Sequence, residues 1–202
     1  MAEERYYKHD GIERFTHWAH MVDTVVLILS GLQIHHPWFA VFGTMQTARF
    51  LHLASGYFFL FLGILHVYFF FALGKRKIAM PHLEDLSGIG PVLKYYLVVG
   101  GKKPDYAKYN ALQKFAYAAL FVVSFLQSAL GFALYWPVQF AVVFTLFGDA
   151  VHVRIWHTTL MWVFLSFTAV HVYLVCTEDA RLVKAMVDGY YYRKVTEGKA
   201  QG

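Results

Sequence analysis

The sequence predicts an all-α integral membrane four-helix bundle, and its composition and hydropathy carry that prediction. Hydrophobic residues make up 58% of the 202 residues, charged residues only 15%, and the mean hydropathy is +0.43. A chain this apolar is unlike an ordinary soluble domain. Four segments are long enough to cross about 30 Å of hydrocarbon, namely residues 16–35, 51–73, 112–135 and 153–176. Because the sequence contains no internal repeat, residues 1–202 are predicted to form a single transmembrane domain.

The basic residues predict the orientation of the chain. Sixteen of the eighteen Lys and Arg residues lie before the first span, between the second and third, or after the fourth. Only Arg49 and Arg154 lie on the other side. Since basic residues mark cytoplasmic loops, both termini are predicted to be cytoplasmic. The net charge of +5 is therefore a signal of topology, and we expect no nucleic-acid partner.

Histidines recur within the predicted spans, where an imidazole needs a partner. His157 and His171 are fourteen residues apart, so they face one side of the fourth helix about 21 Å from each other. His52 lies at the depth of His157, and His17 at the depth of His171. Two pairs at two depths are what two haems with bis-histidine ligation require. Because Cys176 is the only cysteine, the attachment of haem would be non-covalent.

The spacing leaves a second assignment of the inner ligands open. His66 follows His52 by the same fourteen residues, so the second and fourth helices would be able to supply all four ligands. The pattern R-x-x-H occurs at Arg14/His17, Arg49/His52 and Arg154/His157, and not before His66. An arginine one turn nearer the membrane surface can pair with a haem propionate. Gly56, one turn after His52, is expected to let a macrocycle approach the backbone.

Seven segments together resemble one protein family. ERFTHW, ARFLHLASGY, KYNALQK, GFALYW, IWHTTLMW, HVYLVCTEDA and MVDGYYYRK are similar to segments of the di-haem cytochrome b family. That family includes the membrane subunits of respiratory nickel–iron hydrogenases and the gamma subunits of formate dehydrogenases. The resemblance covers nearly the whole chain.

The resemblance implies a protein of the bacterial or archaeal cell (inner) membrane that works within a larger complex. Electrons would pass from an iron–sulfur subunit through two haems b to a membrane quinone, either menaquinone or ubiquinone. Oxidation of the substrate would belong to a catalytic subunit, a hydrogenase large subunit or a formate dehydrogenase alpha subunit. The chain itself is expected to transfer electrons and reduce quinone.

The resemblance also implies a role for each histidine. It pairs His17 with His171 at the inner haem and His52 with His157 at the outer haem. His66 departs from the family pattern, so the helix 2 and helix 4 arrangement remains the alternative.

The family places quinone reduction beside KYNALQK, where Asn110 and Gln113 would hydrogen-bond a quinone carbonyl. Asn110 is also a good N-cap and Gln113 a good first-turn residue for the third span, so both roles stay open. Asp23 is costly inside a span. It is expected either to serve in a proton path or to pair with His20.

Two other classes of function stay open. A free-standing cytochrome b561 would act alone as a superoxide:quinone oxidoreductase, and it would purify without iron–sulfur or catalytic subunits. A haem-free membrane anchor or transporter would use the histidines for protons, and it would show no haem spectrum.

The distribution of basic residues predicts the location of the C-terminus. We expect a reporter that is active only in the cytoplasm to be active when it is fused after Gly202. Activity of a reporter that works only in the periplasm would contradict this orientation.

Overall fold

The computed structural model describes residues 3–97, 104, 108–178 and 181–194, and most of these residues are helical. In chain order the elements are β1 (Glu3–Tyr7), α1 (Gly11–His35), α2 (Met45–Ala72), α3 (Arg76–Ala79), α4 (Leu86–Leu97), α5 (Ala111–Tyr135), α6 (Ala141–Phe147), α7 (Ala150–Glu178), α8 (Arg181–Asp188) and β2 (Tyr190–Lys194), with a 3₁₀ turn at Leu83–Asp85.

Four of the helices, α1, α2, α5 and α7, are long and apolar enough to cross a membrane. Their lengths of 25, 28, 25 and 29 residues exceed the roughly 20 that a span requires. At most 22% of the most apolar window of each helix is buried, so a large apolar surface is left for lipid to cover. The four predicted spans and the all-α class are confirmed.

Each long helix begins somewhat earlier than the hydropathy alone predicted, because polar residues cap it. Asp10 precedes α1, and its carboxylate accepts the backbone N–H of Glu13 at 2.8 Å. Asn110 and Gln113 form a reciprocal capping box at the start of α5. Asp149 accepts two backbone N–H groups in the first turn of α7. Such caps add a polar turn to the apolar segment.

The described residues fall into two compact units. The first holds β1, α1, α8 and β2, together with α2 as far as Leu62 and α7 from Met161 onward. The second holds the rest of α2, helices α3 to α6, and α7 as far as Leu160. The core of the second unit is formed by Leu130, Ala133, Val143, Val153 and Leu160.

An ion pair attaches the α4 region to α5 in the second unit. Lys114 Nζ donates to both carboxylate oxygens of Asp85, at 2.9 and 3.1 Å. Lys114 and the backbone N–H of His82 hold the pKa of Asp85 below its ordinary value of 3.8. Because the folded pKa is the lower one, this stabilisation is present above pH 3.8 and is lost as the pH falls through the folded value.

A small sheet joins the two ends of the described chain in the first unit. Strands β1 and β2 pair antiparallel, from Glu3 opposite Lys194 to Tyr7 opposite Tyr190. The backbone N–H groups of residues 8 and 9 both donate to the carbonyl of Gly189. We call β1, β2 and α8 the terminal clasp. The indole of Trp18 on α1 donates to a carbonyl of α8, at 2.9 Å.

The terminal clasp is a partial departure from the sequence prediction. The sequence from Arg181 to Gly202 predicts an amphipathic stub that then frays, and α8 confirms the amphipathic part. The strand that follows was not predicted, because a five-residue segment has no partner visible from its own sequence. The sequence also predicts disorder beyond about residue 195, and that prediction lies outside the described residues.

Gly189 is the most constrained glycine of the clasp, and its replacement should weaken the fold. Its φ is +89°, and an added Cβ would lie 2.9 Å from the carbonyl oxygen of His9. We expect Gly189→Ala to destabilise the protein by about 1–3 kcal/mol, measured as a lower melting temperature in detergent. Gly43 is the matched control, because its φ is +72° and nothing lies within 4 Å of an added Cβ. Equal melting temperatures for Gly189→Ala and Gly43→Ala would show that the clasp contact contributes nothing.

Candidate functional site

Two of the predicted ligand histidines lie side by side in the first unit. The rings of His17 on α1 and His171 on α7 have centroids 6.2 Å apart, with an angle of 54° between their planes. A metal–imidazole bond is about 2 Å long, so two imidazoles on opposite sides of one iron have ring centres about 6 Å apart. The Nδ1 atom of His17 is buried and has no hydrogen-bond partner among the described residues. The centroid separation of this pair fits axial ligation of one haem.

A serine on α1 fixes the proton of the third predicted ligand. Ser30 Oγ lies 2.9 Å from Nδ1 of His52 and donates its only proton to the carbonyl of Val26, at 2.6 Å. With that proton on the Val26 carbonyl, Nδ1 of His52 donates to Ser30, and in the neutral ring Nε2 then carries no proton. An unprotonated Nε2 is the form that binds iron, and a hydrogen bond from the other nitrogen is the usual support of a metal-bound histidine.

Two glycines of neighbouring helices make room for the outer histidines. An added Cβ at Gly31 would lie 3.2 Å from the ring of His52, and at Gly131 it would lie 3.0 Å from the ring of His157. The sequence did not predict roles for Ser30, Gly31 and Gly131. A glycine within an apolar helix was the only feature that could have indicated the two close contacts. His52 and Gly31 belong to the first unit, and His157 and Gly131 belong to the second.

Contacts with α1 place the predicted ligand histidines of the first unit at two levels. His171 lies beside His17, whereas His52 lies beside Ser30, thirteen residues further along α1. Thirteen residues of helix are about 20 Å long, which agrees with the separation predicted from spacing. His66, the alternative inner ligand, is exposed and belongs to the second unit. The assignment of His17 over His66 stays a prediction.

The residues predicted to contact the haem edges differ in their surroundings. Arg14 Nη1 donates to the backbone carbonyl of Val187 at 2.6 Å, so its guanidinium is held at the terminal clasp one turn from His17. The side chains of Arg49 and Arg154 are exposed. Nothing lies within 4 Å of a Cβ added to Gly56, so its backbone is open to a large ligand.

The predicted quinone contacts, Asn110 and Gln113, both take part in capping α5. Asn110 Oδ1 accepts the N–H of Gln113, and Gln113 Oε1 accepts the N–H of Asn110. Asn110 is 1% exposed, and its amide nitrogen donates to the hydroxyl of Tyr96 at 3.3 Å. Among the described contacts, the amide nitrogen of Gln113 is the one polar group of the pair that has no hydrogen-bond partner. The capping role is confirmed, and contact with quinone stays a prediction.

Comparison with known proteins assigns the chain to a family. Residues 8–189 match the family model described as prokaryotic cytochrome b561. A putative protein-methionine-sulfoxide reductase subunit YedZ1 of Azospira oryzae is 28% identical over 94% of this chain and 100% of its own length. The probable Ni/Fe-hydrogenase B-type cytochrome subunit of Rhizobium leguminosarum bv. viciae is 27% identical over 91% of this chain and 87% of its own length. The probable Ni/Fe-hydrogenase 1 B-type cytochrome subunit of Escherichia coli K12 is 24% identical over 94% of this chain and 92% of its own length. Since the family model spans almost the whole sequence, this chain belongs to the prokaryotic cytochrome b561 family.

Proposed function

We propose that this chain is the di-haem cytochrome b subunit of a membrane-bound respiratory oxidoreductase that delivers electrons to a membrane quinone. The observation that carries the proposal is the pairing of His17 with His171, whose ring centroids are 6.2 Å apart. Membership of the cytochrome b561 family implies haem b. The support of His52 by Ser30, about 20 Å further along α1, is what a second haem at another depth would need.

The chain's own residues would hold two haems b without a covalent bond. His17 and His171 would ligate the inner iron, and His52 and His157 the outer one. Ser30 keeps Nε2 of His52 unprotonated for this task. When bound, the haems would supply one-electron transfer between an iron–sulfur donor on one side of the membrane and a quinone near the other.

Residues at the start of α5 support a quinone site. The capping box fixes the backbone of Asn110 and Gln113, and it leaves the Gln113 amide nitrogen as a donor for a quinone carbonyl. Gln113 is half-buried, which suits a ligand that enters from the bilayer. Quinone reduction also needs protons, and cytoplasmic termini would place this end of α5 near the cytoplasm.

The names of the relatives support two kinds of partner. Two of the relatives reported above are named as hydrogenase cytochrome subunits, which favours an iron–sulfur subunit together with a hydrogenase large subunit. The match to the whole length of a putative methionine-sulfoxide reductase subunit supports a reductase partner as the second candidate. A formate dehydrogenase partner has one support, the segment KYNALQK, which resembles the gamma subunits of formate dehydrogenases. Affinity purification from native membranes followed by mass spectrometry distinguishes these partners, and a chain that purifies alone would favour the free-standing alternative.

The ligand assignment predicts the haem content of the protein and of its variants. Purified protein should show the low-spin spectrum of haem b with two haems per chain, all extractable by acid acetone. His17→Ala should lose one haem and quinone reduction, because no second imidazole would replace the missing axial bond. His52→Ala should lose the other haem. Pyridine haemochrome assay and visible spectroscopy measure both changes.

His66→Ala is the matched control for His17→Ala. It should retain both haems, since a histidine that is not a ligand contributes at most a hydrogen bond of about 1 kcal/mol. If His66→Ala drops the haem count to one and His17→Ala does not, the second and fourth helices supply all four ligands. A wild-type protein without haem would refute the proposed function.

The free amide of Gln113 predicts how quinone affinity responds to substitution. Gln113→Glu keeps the acceptor that caps the Asn110 N–H but removes the amide donor. Loss of one hydrogen bond of about 1 kcal/mol should raise the KM for quinone at least about fivefold, with the melting temperature unchanged. Gln139→Glu, at an exposed position between α5 and α6, is the matched exchange and should leave the KM unchanged. An unchanged KM in Gln113→Glu would limit Gln113 to its role in the capping box.

A further inference from the structure

A row of polar side chains follows one face of α1 in the first unit. Glu13, Thr16, His20 and Asp23 are three or four residues apart, so each turn of the helix contributes one of them to the same face. Two members of the row are held by the backbone of α1: Thr16 Oγ1 donates to the carbonyls of Ile12 at 2.8 Å and Glu13 at 3.2 Å, and His20 Nδ1 donates to the carbonyl of Thr16 at 2.8 Å. The row begins at the end of α1 that carries the terminal clasp. The expected pairing of His20 with Asp23 is replaced at Nδ1 by this backbone contact.

The row ends at Asp23, deep inside the span. Asp23 is 4% exposed and is the only carboxylate in the interior of the four long helices. Its Oδ2 is buried without a hydrogen-bond partner among the described residues, and its carboxyl group is hydrogen-bonded by Ser55 of α2. Beyond Asp23 this face of α1 carries Val26 and Leu27 before the next polar residue, Ser30. The row therefore leads from one aqueous end to a carboxylate and stops there.

Asp23 lies between the two ligand levels of α1. It follows His17 by six residues, about 9 Å along the helix axis, and it precedes Ser30, beside His52, by seven residues, about 10 Å. Charges separated by this distance interact appreciably inside a membrane protein, because little water screens them. Reduction of a haem at either level would add one negative charge near Asp23. One oxygen of that carboxylate, Oδ2, already lacks a hydrogen-bond donor among the described residues. Binding of a proton at that oxygen would cancel the added charge.

We propose that Asp23 is a redox-linked proton site, an inference that rests on the proposed di-haem function. A haem held by the neighbouring histidines would take up one electron from the iron–sulfur partner. One proton from the aqueous phase at the clasp end of α1 then forms an O–H bond at Oδ2 of Asp23. On reoxidation the electron leaves towards quinone, and the proton leaves Asp23.

The other titratable groups of the packed helices have separate tasks. His52 of α2 and His171 of α7 are iron ligands in the proposed function, so they stay neutral. His20 of α1 uses Nδ1 to donate to the backbone, and its Nε2 is the atom that would accept and pass on a proton. The Ser55 hydroxyl is the group on α2 that orients the carboxyl of Asp23. Asp23 is thus the one group of this set that changes charge with the electron.

The test is a spectroelectrochemical titration of the purified protein at several pH values, combined with redox-induced infrared difference spectra. In the wild type, at least one haem potential should fall with rising pH, towards 59 mV for each tenfold change in proton concentration, which corresponds to one proton per electron. The reduced-minus-oxidised infrared spectrum should contain the C=O band of a protonated carboxylic acid. Asp23→Asn should lose that band and the pH dependence, while Asp23→Glu should retain both with a shifted band.

Two further variants separate proton binding from a structural role. Ser55→Ala should shift the carboxyl band and keep it. Thr168→Val is the matched control, because the Thr168 hydroxyl donates to a carbonyl of its own helix, and it should change neither readout. Two haems whose potentials are independent of pH, or a carboxyl band that persists in Asp23→Asn, would overturn this inference alone. A preparation without haem would overturn it together with the proposed function.

Discussion

A polar group inside an apolar helix needs a partner, and most features of this protein follow from that constraint. The hydrocarbon of a bilayer offers no hydrogen bonds, so a buried imidazole or carboxylate is costly unless the protein or a ligand satisfies it. His52 meets the requirement at one nitrogen through Ser30, and that bond leaves the other nitrogen ready for a metal. His17 lacks such a partner at Nδ1 and faces His171 at a spacing that suits a shared iron. Membership of the cytochrome b561 family implies haem b, for which these histidines would serve as ligands.

The features that sequence predicted are those that depend on a single helix. The length and apolarity of α1, α2, α5 and α7 can be read from a continuous segment, since hydropathy is a local property. The same holds for Asn110, because an N-cap acts on backbone groups only three residues away. The shared level of His17 and His171 was also within reach, since the depth of a residue in a span follows from counting.

The features that sequence did not predict depend on two segments that are distant in the chain. Gly31 and Gly131 matter because a ring from another helix lies against each of them, and nothing within α1 or α5 reveals which ring that is. The pairing of β1 with β2 joins residues more than 180 positions apart, although the tyrosines of both strands are residues that favour strands. The sequence also leaves the choice between His17 and His66 open, because either histidine has the spacing that an inner haem ligand requires. Substitution, rather than spacing, is the means to decide it.

The terminal clasp has a consequence for the order in which the protein is made. Strand β1 is synthesised before the first span, whereas its partner β2 follows the fourth. The first strand must therefore wait, unpaired, while all four apolar helices are inserted. Closing so long a loop is entropically unfavourable until insertion has brought the two ends to the same surface. Formation of the clasp would then be the last step of folding. In a chain whose synthesis stops before β2, strand β1 would have no partner at the N-terminal end of α1.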